Sequence, residues 1–124
     1  MTSARVLLLP DAADDLRRLD GSARRLVAKA LQKLQDSPGQ RGAPLGARAN
    51  AQSDLIGFRK LVVGDRDYRI IYEVRRDDTV VIVWVIGKRA DAEAYRQASE
   101  RIAAYRGDPD RQAMLQALLD AAHR

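Results

Sequence analysis

Residues 57–95 read GFRKLVVGDRDYRIIYEVRRDDTVVIVWVIGKRADAEAY and hold five of the chain's six aromatic side chains, Tyr105 being the sixth. Three strand-like runs stand out, 58–63, 68–74 and 79–86. They are separated by Gly64-Asp65-Arg66-Asp67, whose glycine is free to take a positive φ, and by the polar Arg75-Arg76-Asp77-Asp78, and the third run ends at Gly87. Two short polar connections predict an antiparallel meander. Side chains alternate across a strand, so Tyr68, Ile70, Tyr72 and Val74 share one face while Arg69, Ile71 and Glu73 share the other. The third run, VVIVWVI from Val80 to Ile86, is apolar on both faces and is the expected most buried strand.

The flanking sequence supplies cover for that sheet. Residues 4–9 read as a short strand joining it. Pro10 suits the first turn of a helix whose apolar stripe is Ala12, Leu16 and Leu19. Asp20-Gly21-Ser22 breaks this helix and offers an N-cap for a second, striped by Val27, Leu31 and Leu34 and ending before Ser37-Pro38-Gly39. The pair is a helical hairpin with one apolar side. Residues 38–53 lack a period and read as a long loop made mildly basic by Arg41 and Arg48. A third helix follows the meander over 91–105, with Tyr95, Ala98, Ile102 and Tyr105 on its stripe. Gly107 ends it, and Asp108-Pro109 opens a last helix whose Leu115, Leu118, Leu119 and Ala122 need this domain or a partner to cover them. The expected architecture is α/β (α+β): an N-terminal strand and helical hairpin on an antiparallel or mixed sheet, with C-terminal helices.

At 124 residues the chain fits one domain with a real core. A net charge of +5 and a pI near 10.0 make an anionic partner plausible, nucleic acid ahead of an acidic membrane, since no basic amphipathic segment is present; small soluble proteins are also basic without a specific reason. The absence of cysteine excludes disulfides, thiolate metal sites and cysteine nucleophiles. The apolar run 6–9, stopped by Pro10, is too short for a signal-peptide core or a membrane span, so the cytoplasm is the expected compartment.

Familiar catalytic constellations are missing. His123, the one histidine, lies two residues from the end of the sequence, and there is neither a P-loop nor a dinucleotide glycine pattern. The carboxylates are scattered, and no magnesium site is expected. What stands out is cationic: Arg59, Lys60, Arg66, Arg69, Arg75 and Arg76 on two strands and their loops, then Lys88 and Arg89 directly after the third. Five acidic residues interleave with them, so many of these charges read as solvated turns. Arg69 differs, because a charge in mid-strand needs an open groove or a partner such as Glu73 or another carboxylate. Such a set can act on a phosphodiester without a metal: guanidinium groups clamp the phosphate and stabilise added negative charge, while lysine or tyrosine exchanges protons. RNA brings its own nucleophile, the 2′-OH. Tyr95, on an apolar stripe, reads equally well as core.

The order strand, helical hairpin, meander, helix, together with DYRIIYEV (67–74), VVIVWVIGKR (80–89) and a tyrosine six residues after GKR, resembles the RelE/ParE superfamily of type II toxin–antitoxin toxins. The resemblance spans about residues 4–105, leaving 106–124 as a C-terminal helical extension of a single toxin domain. It implies a toxin neutralised by a neighbour-encoded antitoxin in a hetero-oligomer that contacts operator DNA through the antitoxin. The RelE-like branch cleaves mRNA in the ribosomal A site by 2′-OH attack with no cofactor, whereas the ParE-like branch poisons DNA gyrase; a non-catalytic homologue is the remaining alternative. Matched residue by residue, Arg69 corresponds to the arginine that stabilises the scissile phosphate, Arg89 to a second phosphate and leaving-group stabiliser, and Tyr95 to the aromatic residue that orients a base and takes part in proton transfer. Lys60 matches a basic residue of the preceding strand. Arg59, Arg66 and Lys88 are the accompanying expected RNA contacts. The chain departs from the RelE-like pattern of two alternating basic residues: Arg59 and Lys60 are adjacent and point to opposite faces, and Val62 stands where a second same-face lysine is expected.

Overall fold

The structure is a computed structural model that describes residues 3–45, 57–65, 67–75, 78–88 and 91–122. The chain runs β1 (Arg5–Leu8), α1 (Pro10–Arg17), α2 (Gly21–Lys33), β2 (Ala43–Pro44), β3 (Phe58–Val63), β4 (Tyr68–Arg75), β5 (Val80–Lys88), α3 (Asp91–Arg106) and α4 (Pro109–Ala122). The meander forms as its alternation predicts, with β3, β4 and β5 antiparallel. β1 joins β5 in parallel, making a mixed five-stranded sheet of order β1-β5-β4-β3-β2. The connection after β3 turns on Gly64 at φ 70°, a conformation that costs glycine little.

Helices cover both faces of this sheet. On one side Val27, Leu31 and Leu34 of the hairpin pack on Ile70, Tyr72, Val81 and Val83. On the other, Ala94, Ala98, Ile102 and Tyr105 of α3 and Leu119 of α4 pack on Phe58, Ile71, Trp84 and Val85. Alternation therefore sorts β4 as its sequence implies, Ile70 and Tyr72 to the hairpin and Ile71 to the C-terminal helices. Residues 80–86 of β5 are all buried, as expected for the doubly apolar strand. The last helix is covered by its own domain: Met114, Leu115, Leu118 and Ala122 pack with Leu119 against the α3 side of the sheet. Asp108 begins it by accepting the Asp110 N–H at 3.0 Å, and Asp20 begins α2 by accepting the Ala23 N–H at 2.9 Å.

The end of the third strand and the long loop differ from the expectation. β5 continues through Gly87 to Lys88 because both residues pair with β4, opposite Arg69 and Tyr68. The strand also carries a bulge: Ile71 pairs with Val85 and Tyr72 with Val83, so Trp84 is the extra residue. The segment from Pro38, read as a loop to residue 53, begins with a 3₁₀ turn, Pro38–Gln40, and then forms edge strand β2; residues 46–53 of that expected loop lie outside the described residues. Tyr72 fixes this segment, its buried hydroxyl 2.6 Å from the Arg41 carbonyl and 3.0 Å from that of Pro38. Gly42, at φ 63°, crosses so close that a Cβ there would collide with the Lys60 carbonyl.

Beyond Val83, where β1 ends, the outer edge of β5 has no strand partner among the described residues. Side chains take over the ladder. The Ile86 N–H donates to Asp15 Oδ2 at 3.0 Å, and the Trp84 carbonyl accepts from Arg101 Nη1 at 2.9 Å. Backbone groups buried at a sheet edge need such partners.

Candidate active site

The α3 face of β3 and β4 carries a second row of side chains besides the apolar core. Lys60 and Arg69 lie on that face, and Val62, opposite Arg69 in the ladder, is on the surface beside them. The first residue of α3, Asp91, reaches both cations: Lys60 Nζ donates to Oδ2 at 2.8 Å and Arg69 Nε donates to Oδ1 at 2.6 Å. Arg69 Nη1 also lies 3.3 Å from the Tyr68 carbonyl. One turn into α3, the Tyr95 ring lies 5.8 Å from Lys60 Nζ, in cation–π range. Three elements thus bring Lys60, Arg69, Asp91 and Tyr95 together.

The electrostatics follow from this geometry. Burial alone would lower the Lys60 pKa, but the hydrogen bonds to Asp91 and Tyr95 and their charges outweigh it and hold the ammonium above its ordinary value. The hydrogen bond from Lys60 holds Asp91 below the usual carboxylate range; burial opposes this, and Arg69 adds to it. At neutral pH both groups are charged, so Lys60 can give a proton but cannot take one.

The remaining expected residues separate. Arg59 faces the opposite side, where its Nε donates to the Arg41 carbonyl at 2.8 Å and its Nη2 to that of Gly42 at 3.1 Å; it pins the segment before β2 and does not join the cluster. Lys88 is exposed at the end of β5, opposite Tyr68, and its charge acts on Asp20 at the start of α2. Arg66 and Arg89 lie outside the described residues. Tyr95 is only partly buried, shouldered against the α3-side core while Ala94 fills the buried position beside it. The expectation that Arg69 pairs with Glu73 or another carboxylate is met by Asp91 and not by Glu73, which pairs with Arg75 and accepts from Trp84 Nε1 at 3.2 Å.

Sequence reasoning missed Asp91, which looked like an ordinary acidic residue opening a helix. The available signal was its place two residues after Arg89 and four before Tyr95, on the α3 turn that meets the sheet face bearing Arg69.

Comparison with known proteins identifies the family. Residues 6–93, well over half of the chain, match the family described as "ParE toxin of type II toxin-antitoxin system, parDE". The chain is 29% identical over 91 residues to the mRNA interferase toxin RelE of Escherichia coli strain K12, covering 73% of this chain and 88% of that one. Its fold is similar to that of a mutant E. coli RelE in the free state, with TM-score 0.60, 25% identity and coverage of 82% of this chain and 99% of the other. It is also similar to a chain of the RelBE2 toxin–antitoxin complex of Mycobacterium tuberculosis, with TM-score 0.58, 25% identity and coverage of 73% and 97%. The family match begins in β1 and ends in the first turn of α3, so it takes in Lys60, Arg69 and Asp91, and the chain belongs to the ParE toxin family of the RelE/ParE superfamily of type II toxin–antitoxin toxins.

Proposed function

We propose that this protein is the toxin of a type II pair and acts as a ribosome-dependent, metal-independent mRNA endonuclease that blocks translation. The observation carrying this reading is the convergence of Lys60, Arg69 and Tyr95, from β3, β4 and α3, on one partly open surface. The named activity of the RelE relative points the same way. Arg69, with Arg89 beside it in function, neutralises the scissile phosphate as charge builds in the transition state. The 2′-OH gives its proton to solvent water as its oxygen attacks phosphorus, the P–O5′ bond breaks to leave a 2′,3′-cyclic phosphate, and Lys60, held protonated, supplies the proton that the departing 5′-oxygen needs. Tyr95 offers a ring on which a base of the A-site codon stacks. No cofactor enters these steps.

The partners follow from the same reading. A cognate antitoxin neutralises the toxin in a hetero-oligomer, as the RelBE complexes suggest, and operator DNA is contacted through the antitoxin. The working compartment is the cytoplasm, where ribosomes translate; among the described residues no helix is long and apolar enough to cross a membrane. The toxin domain spans the whole chain, with 106–124 as its helical extension.

The test is to induce the wild type and an Arg69→Ala/Arg89→Ala double variant in cells and map transcript 5′ ends by primer extension. New cuts inside translated regions, seen only with the wild type, are expected. The matching family description names ParE, which favours a second reading as a gyrase poison. Growth arrest with intact messages, DNA damage and filamentation would select that reading instead.

A further inference from the structure

Lys60 and Arg69 grip different oxygens of one carboxylate, Oδ2 and Oδ1 of Asp91. That divided grip also fits two non-bridging oxygens on one phosphorus. The two cations are 17% and 12% exposed while the Asp91 side chain is 42% exposed, so the carboxylate sits on the solvent side of the pair. An anion approaching from solvent meets Asp91 before it meets either cation. The cations are fixed within strands β3 and β4, whereas Asp91 is the first residue of a helix on a short side chain whose rotation alone would vacate the position. A second anion added to an occupied seat would lie against the carboxylate and be repelled by it.

We infer that the Asp91 carboxylate occupies the seat that a phosphodiester takes between Lys60 and Arg69, and that an oxyanion binds there by displacing it. The inference rests on the phosphate-clamping role given above to Arg69 and says what holds that clamp before RNA arrives. Two neighbouring cations without an anion would repel each other, so the protein carries its own counter-ion until substrate replaces it. The exchange is neutral in charge, one negative charge leaving as one enters. Its cost appears in affinity: an oxyanion binds more weakly by the fraction of molecules in which Asp91 has swung out, so a seat filled nine times in ten weakens binding about tenfold.

The experiment uses the full chain and inorganic sulfate, which stays fully charged across the working pH range. Sulfate is titrated at constant ionic strength while the Lys60 Nζ and Arg69 Nε resonances are followed by NMR. Asp91→Asn is expected to bind sulfate about tenfold more tightly than wild type. At saturation the two proteins should converge on the same Lys60 and Arg69 resonance positions, since sulfate then fills the same seat in both. Asp91→Ser, which removes the charge but keeps a helix-starting side chain, should behave like Asp91→Asn and keeps the test valid if the amide variant folds poorly. Resonances that stay distinct at saturation would mean that Asp91 remains in place, and would overturn the inference; so would unchanged or weaker sulfate binding in both variants. Neither readout needs a ribosome. Transcript cleavage without sulfate displacement would sink this inference and leave the nuclease reading standing, and displacement without cleavage would do the reverse.

Discussion

Asp15 and Arg101, 86 positions apart in sequence, form a two-pronged ion pair, Nη1 to Oδ2 at 2.7 Å and Nη2 to Oδ1 at 3.1 Å, that ties α1 to α3 around the bare edge of β5. Each member also takes one backbone group of that edge, so the pair serves as a substitute strand. Arg101→Ala would leave a buried carboxylate and an unpaired carbonyl. We expect a loss of about 3–5 kcal/mol, read from urea unfolding, because removing one member of a buried pair costs more than the pair contributes. Arg101→Lys should recover little, since an ammonium cannot hold both oxygens and the Trp84 carbonyl in one plane.

Leu119 is the buried anchor of α4, and Trp84 and Tyr105 stack edge to face beneath that helix with centroids 5.1 Å apart. Leu119→Ala should cost about 2–5 kcal/mol, and the thermal midpoint should fall accordingly. A midpoint within a degree of wild type would show that α4 does not contribute to the fold.

The Lys60–Asp91 contact has a defined pH window. Asp91 is depressed from its ordinary 3.8, so its contribution is present above that value and fades as pH drops through its lower folded value. Lys60 is raised from its ordinary 10.5, so its contribution is complete below 10.5 and fades as pH climbs through its higher folded value. Between these limits the difference in urea midpoint between wild type and Asp91→Asn should be flat, and it should shrink in strong acid. A difference that moves steadily through pH 5–9, about the range where a histidine-like group titrates, would contradict this.

Tyr72→Phe should destabilise by about 0.5–1.5 kcal/mol, the usual worth of one hydrogen bond, while Gly42→Ala should cost more, because it combines a strained φ with a backbone collision. Both variants loosen the segment that Arg59 pins on the face away from Lys60. Transcript cleavage should therefore persist in Tyr72→Phe; its loss at full folded population would move Tyr72 into the catalytic machinery.

Strong local patterns made most of the fold readable. The alternation at Tyr68–Val74, the doubly apolar Val80–Ile86 and the proline and aspartate punctuation at Pro10, Asp20 and Asp108 each specify structure within a few residues. What stayed hidden depends on distant partners. β2 forms because Arg59 and Tyr72 capture a segment with no period of its own, and Asp15 is buried because β1 stops short of the end of β5. At the candidate site, Lys60, Arg69 and Tyr95 could be nominated from residue type and spacing. Asp91 could not, because its role arises only where the first turn of α3 meets β3 and β4.

The extra residue at Trp84 acts as a parity switch for everything downstream in β5. Val81 and Val83 face the helical hairpin, and uninterrupted alternation would send Val85 and Gly87 there too. The bulge reverses the count: Val85 joins the opposite core, Ile86 faces the hairpin, and Gly87 falls beside Arg69 with Gln97 above it. Straightening the bulge with every residue kept would put Ile86, not Gly87, opposite Arg69 and on its face. Whether a glycine or a bulky side chain lies beside Arg69 is thus recorded in whether a count is odd or even.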